Sequence, residues 1–179
     1  MARCYSEAVP RMKPLPQIWL FSDARSDAWL DAALRRLPRG SGLVFRHYHL
    51  ADDQRRARFD QVARLARERG HVVAVAGSKA LARRWGADLA YGPRGDLASA
   101  HNLRELARAR GAVAVLVSPV FPTRSHPGAP ALGPLRFRLL AARAQVPVIA
   151  LGGMNARSAR RLKWPRWAGI DAFAGPEQR

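Results

Sequence analysis

The apolar run Val113-Ala114-Val115-Leu116-Val117 opens into Ser118-Pro119-Val120-Phe121-Pro122-Thr123-Arg124-Ser125-His126-Pro127-Gly128. A second run, Val146-Pro147-Val148-Ile149-Ala150-Leu151, ends in Gly152-Gly153-Met154-Asn155. Neither run alternates apolar with polar residues. Continuous apolar character marks a strand covered on both faces, as in a parallel sheet. Each run feeds an irregular loop and then a stretch of helical period, the unit from which parallel α/β folds are built.

The same unit recurs along the chain. Strand candidates are Ile18–Phe21, Leu43–Arg46, Val72–Ala76, Leu89–Tyr91, Leu97–Ser99, Val113–Val117, Val148–Leu151 and Ile170–Phe173. Helix candidates between them are Asp27–Leu37, Asp52–Arg69, Lys79–Trp85, Asn102–Arg110, Leu132–Ala144 and Ala156–Leu162. Phe59, Val62, Ala63, Leu65 and Ala66 show the three- and four-residue spacing of a buried helical stripe. Pro38, Gly40, Gly70, Gly86 and Gly111 stand where helices should stop. Eight strands predict a compact (β/α)8 TIM barrel in a single domain spanning 1–179, with residues 1–16 as a proline-rich extension. An open flavodoxin-like sheet is the alternative. The chain has 179 residues, against about 200 at the usual lower limit for such a barrel. Some helices must therefore be short or missing. Tyr91 to Leu97 leaves no room for a fourth helix, and the tail after Phe173 none for an eighth.

Composition narrows the class of protein. Apolar residues make up 48% of the chain, as in folded globular domains. No apolar run approaches the ~20 residues that cross a bilayer, so no membrane partner is expected. Met1 to Pro16 lacks the apolar core of a secretory signal. The single cysteine, Cys4, permits neither an internal disulfide framework nor a cysteine-rich zinc site. The expected location is the cytoplasm. The net charge is +18, which raises anionic partners. Arginines spread over many helices without a base-reading motif argue against nucleic acid. A phosphorylated small molecule is the expected partner, and a homo-oligomer is compatible with the sequence.

Five motifs carry candidate chemistry. Gly152 and Gly153 follow the seventh strand, where a barrel favours phosphate and where glycine lets backbone approach an anion. Asn155 is placed to cap the next helix, and Arg157 lies in its first turn. Thr123, Arg124, Ser125 and His126 in the sixth loop offer hydroxyl and cationic donors to phosphate oxygens. The prolines and glycines from Ser118 to Gly133 suit a lid. Ser99 and His101 share one side of the fifth strand's end, where a histidine can move protons near neutral pH. Asp96 offers one carboxylate to a metal, a sparse site by itself. Arg46 and Tyr48 fall on one side of the second strand's end, His47 and His49 on the other. Each motif also has a plain structural reading as a turn, a cap or a solvated loop.

Taken together these residues resemble the thiamine-phosphate synthase and TenI (thiazole tautomerase) family. Ser118 to Thr123 and Val146 to Met154 follow its pattern most closely, Ser99-Ala100-His101 is similar to its serine-x-histidine strand end, and Trp19 to Asp23 to its first strand. The resemblance implies a barrel that couples hydroxymethylpyrimidine diphosphate to a thiazole phosphate, with Mg²⁺ on the diphosphate. It places Thr123, Ser125 and Ser99 on diphosphate or substrate, and Gly152 and Gly153 on the thiazole phosphate. The chain departs from the pattern at several points. The family's glutamine-x-arginine-x-lysine becomes Arg46, Tyr48 and Leu50, its asparagine-aspartate becomes Ala76 and Gly77, and its sixth-loop lysine becomes His126. Asp96 is the metal aspartate that remains. The leading expectation is a synthase-like protein of thiamine biosynthesis. The alternatives are a metal-independent tautomerase using His101, and a non-catalytic protein binding a phosphorylated ligand.

Overall fold

The computed structural model describes residues 14–125, 128 and 130–175. Its strands are β1 (Ile18–Phe21), β2 (Gly42–Phe45), β3 (Val72–Ala76), β4 (Leu89–Tyr91), β5 (Leu97–Ala100), β6 (Ala114–Val117), β7 (Val148–Ala150) and β8 (Trp167–Gly169). All pair in parallel with their chain neighbours, and β1 pairs with β8, so the sheet closes into a (β/α)8 TIM barrel rather than an open sheet. The helices are α1 (Asp27–Arg36), α2 (Asp52–Glu68), α3 (Lys79–Trp85), α4 (Leu103–Arg108), α5 (Gly133–Ala141) and α6 (Ala156–Leu162). None of them is long and apolar enough to cross a membrane.

Short elements make the barrel fit the chain. α4 has six residues, and α3 and α6 have seven each. Side-chain caps compensate for so few turns: Ser78, Asn102 and Asn155 each accept a first-turn backbone N–H. No helix joins β4 to β5, as the spacing predicts. These two strands share a single register pair, Tyr91 with Leu97. The carboxylate of Asp96 takes the place of a missing strand partner, accepting the Ala90 N–H at 2.9 Å. The last strand is not Ile170–Phe173 as the sequence suggested. It is Trp167–Gly169, and Asp171–Phe173 forms a 3-10 turn. Ala168 and Gly169 are poor strand formers, but Trp167 N bonds Gln17 O and Trp167 pairs with Ala150, so its neighbours impose the strand. α5 is also shorter than the Leu132–Ala144 expected, ending at Ala141.

Alternation along each strand divides the core in two. Trp19, Phe21, Val44, Ala74, Leu116 and Ile149 fill the barrel interior. Leu20, Phe45, Val73 and Val75 face outward against α1 and α2, with Phe59, Val62 and Ala66 opposite. Val115, Val117 and Phe137 do the same beyond β6. At the base of the interior Trp19 lies across Gly42, its register partner. A Cβ on Gly42 would sit 2.2 Å from the indole, so the tryptophan fills space that only glycine leaves free.

A buried polar chain supports the mouth between β1, β2, α1 and α2. His47 Nε2 lies 2.9 Å from Asp27, and Nδ1 lies 2.9 Å from the Ser22 hydroxyl. A carboxylate only accepts, so Nε2 carries the proton in the neutral ring and Nδ1 accepts from Ser22. The Ser22 oxygen in turn accepts the backbone N–H of Arg46 at 3.1 Å. Asp27 is held from the far side by Arg58, at 2.7 Å. His47 and Ser22 are fully buried, and the hydroxyl proton is already committed. The trio is therefore a brace rather than a nucleophilic triad. Its product is the position of Arg46, whose Nε also bonds Ser22 O at 2.9 Å.

Burial pulls the His47 imidazole below the ordinary histidine value, and its bond to Asp27 only partly offsets this. Burial alone would raise Asp27, but the bonds from His47 and Arg58 outweigh it and hold the carboxylate low. A depressed histidine binds a proton more readily unfolded than folded. Its stabilisation is present above about pH 6.5 and is lost as pH falls through the folded value. Asp27 acts in the same direction in a more acidic window. Urea midpoints are therefore expected to drop between pH 7.5 and pH 5, and His47→Gln should shrink that drop. A drop of equal size in the variant would remove His47 as the cause. Gly42→Ala should cost about 3 kcal/mol in chemical denaturation at any pH, because Trp19 has nowhere to move.

Candidate functional site

A cavity of about 930 Å³ opens where the strands end in the direction of the chain. The end of β1 and the loops after β2, β5, β6, β7 and β8 all contribute to it. This is the rim at which barrel enzymes place their chemistry. Of the residues singled out from the sequence, Arg46, His101, Thr123, Arg124, Ser125, Gly152 and Gly153 line the cavity. His126 lies outside the described residues. Ser99 is held on the barrel wall, 2.9 Å from the Tyr91 hydroxyl, and is not part of the lining. Tyr48 also stays out. It is 68% exposed, 5.3 Å from Arg55, because His47 takes a positive φ of 40° that breaks the strand alternation.

The glycine pair is explained first by its neighbours. Gly152 and Gly153 have φ of 89° and 62°, the region that favours glycine. A Cβ on Gly152 would lie 2.6 Å from Pro119, and one on Gly153 would lie 2.6 Å from Pro122 O. Backbone bonds from Val120 to Leu151 O and from Phe121 to Gly152 O join the same two loops. Ser118–Pro119 is a cis peptide. Thus the sixth loop packs onto one side of the glycines while their other side borders the cavity. Asn155 caps α6 through Ser158 N at 2.9 Å, as its position predicts. Arg157 and Arg160 of α6 line the same region, and the sequence reading missed Arg160, which lies one turn beyond Arg157.

A second polar group closes the opposite rim. Asp23 accepts from Arg25 at 2.9 Å and from Arg46 at 3.3 Å. Arg25 also reaches Ser125 at 3.0 Å and Asp171 at 3.5 Å. Hydrogen bonding to Asp23 outweighs partial burial and raises the Arg25 guanidinium further. Nothing in the sequence singled out Arg25, because its partners come from loops 100 and 146 residues away. The cavity lining holds Arg46, Arg124, Arg157 and Arg160 against the single carboxylate of Asp171. It suits a ligand with an anionic group.

His101 stands at the end of β5. Its Nδ1 lies 2.7 Å from Ser118 O. A carbonyl cannot donate, so Nδ1 carries the proton and the neutral ring keeps its lone pair on Nε2. The backbone N–H of His101 is held by Glu105 at 2.8 Å, and that bond is the main reason the Glu105 carboxylate is held low. The ring is thus held through Nδ1, and the backbone that carries it through Glu105.

Asp96 does not fit a Mg²⁺ role. One oxygen accepts the Ala90 N–H and the other pairs with Lys79 at 2.8 Å. The lysine already supplies the positive charge that a metal would bring. Among the described residues no three His, Cys, Asp or Glu side chains come together in a metal-binding group.

Residues 97–175 match the family model of thiamine monophosphate synthase. They run from β5 to just past β8 and carry most of the cavity. No curated protein matches the chain significantly. In structure the chain is similar to a thiamine phosphate pyrophosphorylase from Pyrococcus furiosus, with a TM-score of 0.74 over 90% of this chain and 89% of that one, at 20% identity. It is also similar to a cube-shaped protein cage designed by fusing symmetric oligomeric domains, with a TM-score of 0.61 over 92% of this chain and 68% of that one, at 14% identity. At these identities the structural likenesses speak for the barrel. Through residues 97–175 the chain is similar to the thiamine-phosphate synthase/TenI family.

Proposed function

We propose that the chain is a thiamine-phosphate synthase-like protein that holds a thiazole-type phosphate in this cavity and moves a proton on its ring through His101. The observation that carries this reading is the 2.7 Å contact from His101 Nδ1 to Ser118 O. It leaves Nε2 as the base on a side chain that lines the cavity. Proton transfer by a positioned imidazole contributes typically about 10²–10⁴-fold. In the reaction a ring C–H gives its proton to Nε2, and the imidazolium returns a proton to a second ring atom. No oxidant, leaving group or metal enters the balance. The phosphate belongs beside Gly152 and Gly153, where Arg157 and Arg160 supply charge. Thr123, Arg124 and Ser125 close over the ring side, and Arg46 faces them across the cavity.

The coupling reaction is the second reading, and the family match over residues 97–175 favours it. That reaction would need Mg²⁺ on a departing diphosphate. The residues here fit poorly, since Asp96 is paired with Lys79.

Incubation of the thiazole phosphate in deuterated water without added metal should show protein-dependent ring exchange. His101→Ala should slow it by about 10²-fold or more while leaving phosphate-ligand binding in place. Pyrophosphate release from the two synthase substrates, strictly dependent on Mg²⁺, would instead establish coupling. Gly153→Ala should abolish the rise in melting temperature that the phosphate ligand gives, because its Cβ meets Pro122 O at 2.6 Å and pushes the two loops apart. An unchanged thermal shift would remove the glycine turn from the phosphate site.

A further inference from the structure

The charge of the chain is unevenly placed. Residues 97–175 contain twelve Lys and Arg but only two carboxylates, Glu105 and Asp171. Residues 14–96 contain fifteen Lys and Arg and nine carboxylates. Every cation in an ion pair among the described residues belongs to residues 14–96. The arginines of α4, α5 and α6 are exposed and form no ion pair among the described residues. An unneutralised cationic face of this kind attracts anionic partners.

Apolar surface lies within that face. A groove of about 690 Å³ runs between α4 and α5, with Leu103, Leu132, Leu139 and Leu140 in its walls and Arg104 and Arg136 beside them. Leu103 is 57% exposed and Leu139 is 61% exposed, and Leu135, one turn before Leu139, is 72% exposed. Large leucines exposed together on a small domain mark an interaction surface.

We propose that this groove docks an acidic amphipathic helix of another protein, with its apolar side on the leucines and its carboxylates on Arg104 and Arg136. The chemistry is that of helix-in-groove recognition. A second copy of this chain would bring the same excess of arginine against itself, which costs free energy. The chain's own N-terminal residues do not complement the face either, since Arg3, Arg11 and Lys13 there outnumber Glu7. Nucleic acid would satisfy the arginines but leave the leucines in water. A flat bilayer would leave Leu132 and Leu140, deeper in the groove, unfilled. His101 borders both this groove and the cavity. The docking itself stands apart from the reading of the cavity's ligand.

The probe is a fluorescent helical peptide of about four turns with leucines at three- and four-residue spacing and glutamates on both flanks. Binding to the full chain is followed by anisotropy at ~0.15 M salt. Expected is saturable binding, weakened about tenfold or more by Leu139→Glu and by the Arg104→Glu/Arg136→Glu pair. Arg64→Glu on α2 should leave it unchanged. All three variants carry surface substitutions, and unchanged thermal melts would show that they fold. Equal binding of a scrambled peptide of the same composition would overturn the proposal, because it would reduce the face to charge alone. So would tighter binding to duplex DNA, or to phosphatidylglycerol vesicles, lost with the same substitutions. Indifference of the peptide to Leu139→Glu would overturn it as well.

Discussion

The loops after β6 and β7 lie so close that no side chain fits between them. Pro119, Phe121 and Pro122 occupy the space that side chains at 152 and 153 would take. Two backbone hydrogen bonds, from Val120 and Phe121, lock the approach. Most of the mouth follows from this contact. It brings Thr123, Arg124 and Ser125 over the cavity, and it exposes the free side of the glycine turn to the same space. It also places Ser118 O where His101 can donate to it. A barrel with so few residues has little helix with which to build a site. Here the site is built from loop backbone instead.

Charge organises the opposite rim. Asp23 lies between Arg25 and Arg46, and Arg25 continues to Ser125 and Asp171. Such contacts contribute little stability where water reaches them. Their value is in geometry, since one guanidinium joins the loops after β1, β6 and β8. Beneath them the Ser22–His47–Asp27 chain is fully directional, each donor meeting one acceptor. A buried chain of this kind costs stability when any member is removed, and it fixes the backbone that carries Arg46.

How much of this is legible in the sequence depends on how local the cause is. β1, β3 and β4 begin and end where their apolar runs do, and α3 and α6 where their caps and breakers stand. The absence of a helix between β4 and β5 is a matter of counting residues. β8 is hidden because Ala168 and Gly169 have little strand preference and the strand forms through its pairing with β1 and β7. The cavity residues at strand ends are readable, since the fold dictates where strand ends meet. Arg25 and Arg160 are not marked in the same way. Arg25 earns its place through distant loops, and Arg160 through the turn on which α6 presents it. Tyr48 was aimed inward by strand alternation, and the positive φ at His47 turns it away.

Asp96 shows how a short barrel can use a side chain where a strand partner is missing. Loss of a helix between β4 and β5 leaves these strands with one register pair, and Ala90 would then lack an acceptor. Burying an unpaired backbone N–H costs about 1–3 kcal/mol, a large share of a small domain's stability. Asp96 supplies the acceptor, and Lys79 neutralises the remaining oxygen at 2.8 Å. A carboxylate so engaged has a structural function that holds whether or not a ligand is present. Three of the four arginines lining the cavity have no such ionic partner, since Arg124, Arg157 and Arg160 form no ion pair among the described residues. These three guanidiniums therefore face the cavity without a carboxylate partner, beside the His101 imidazole that Ser118 O holds.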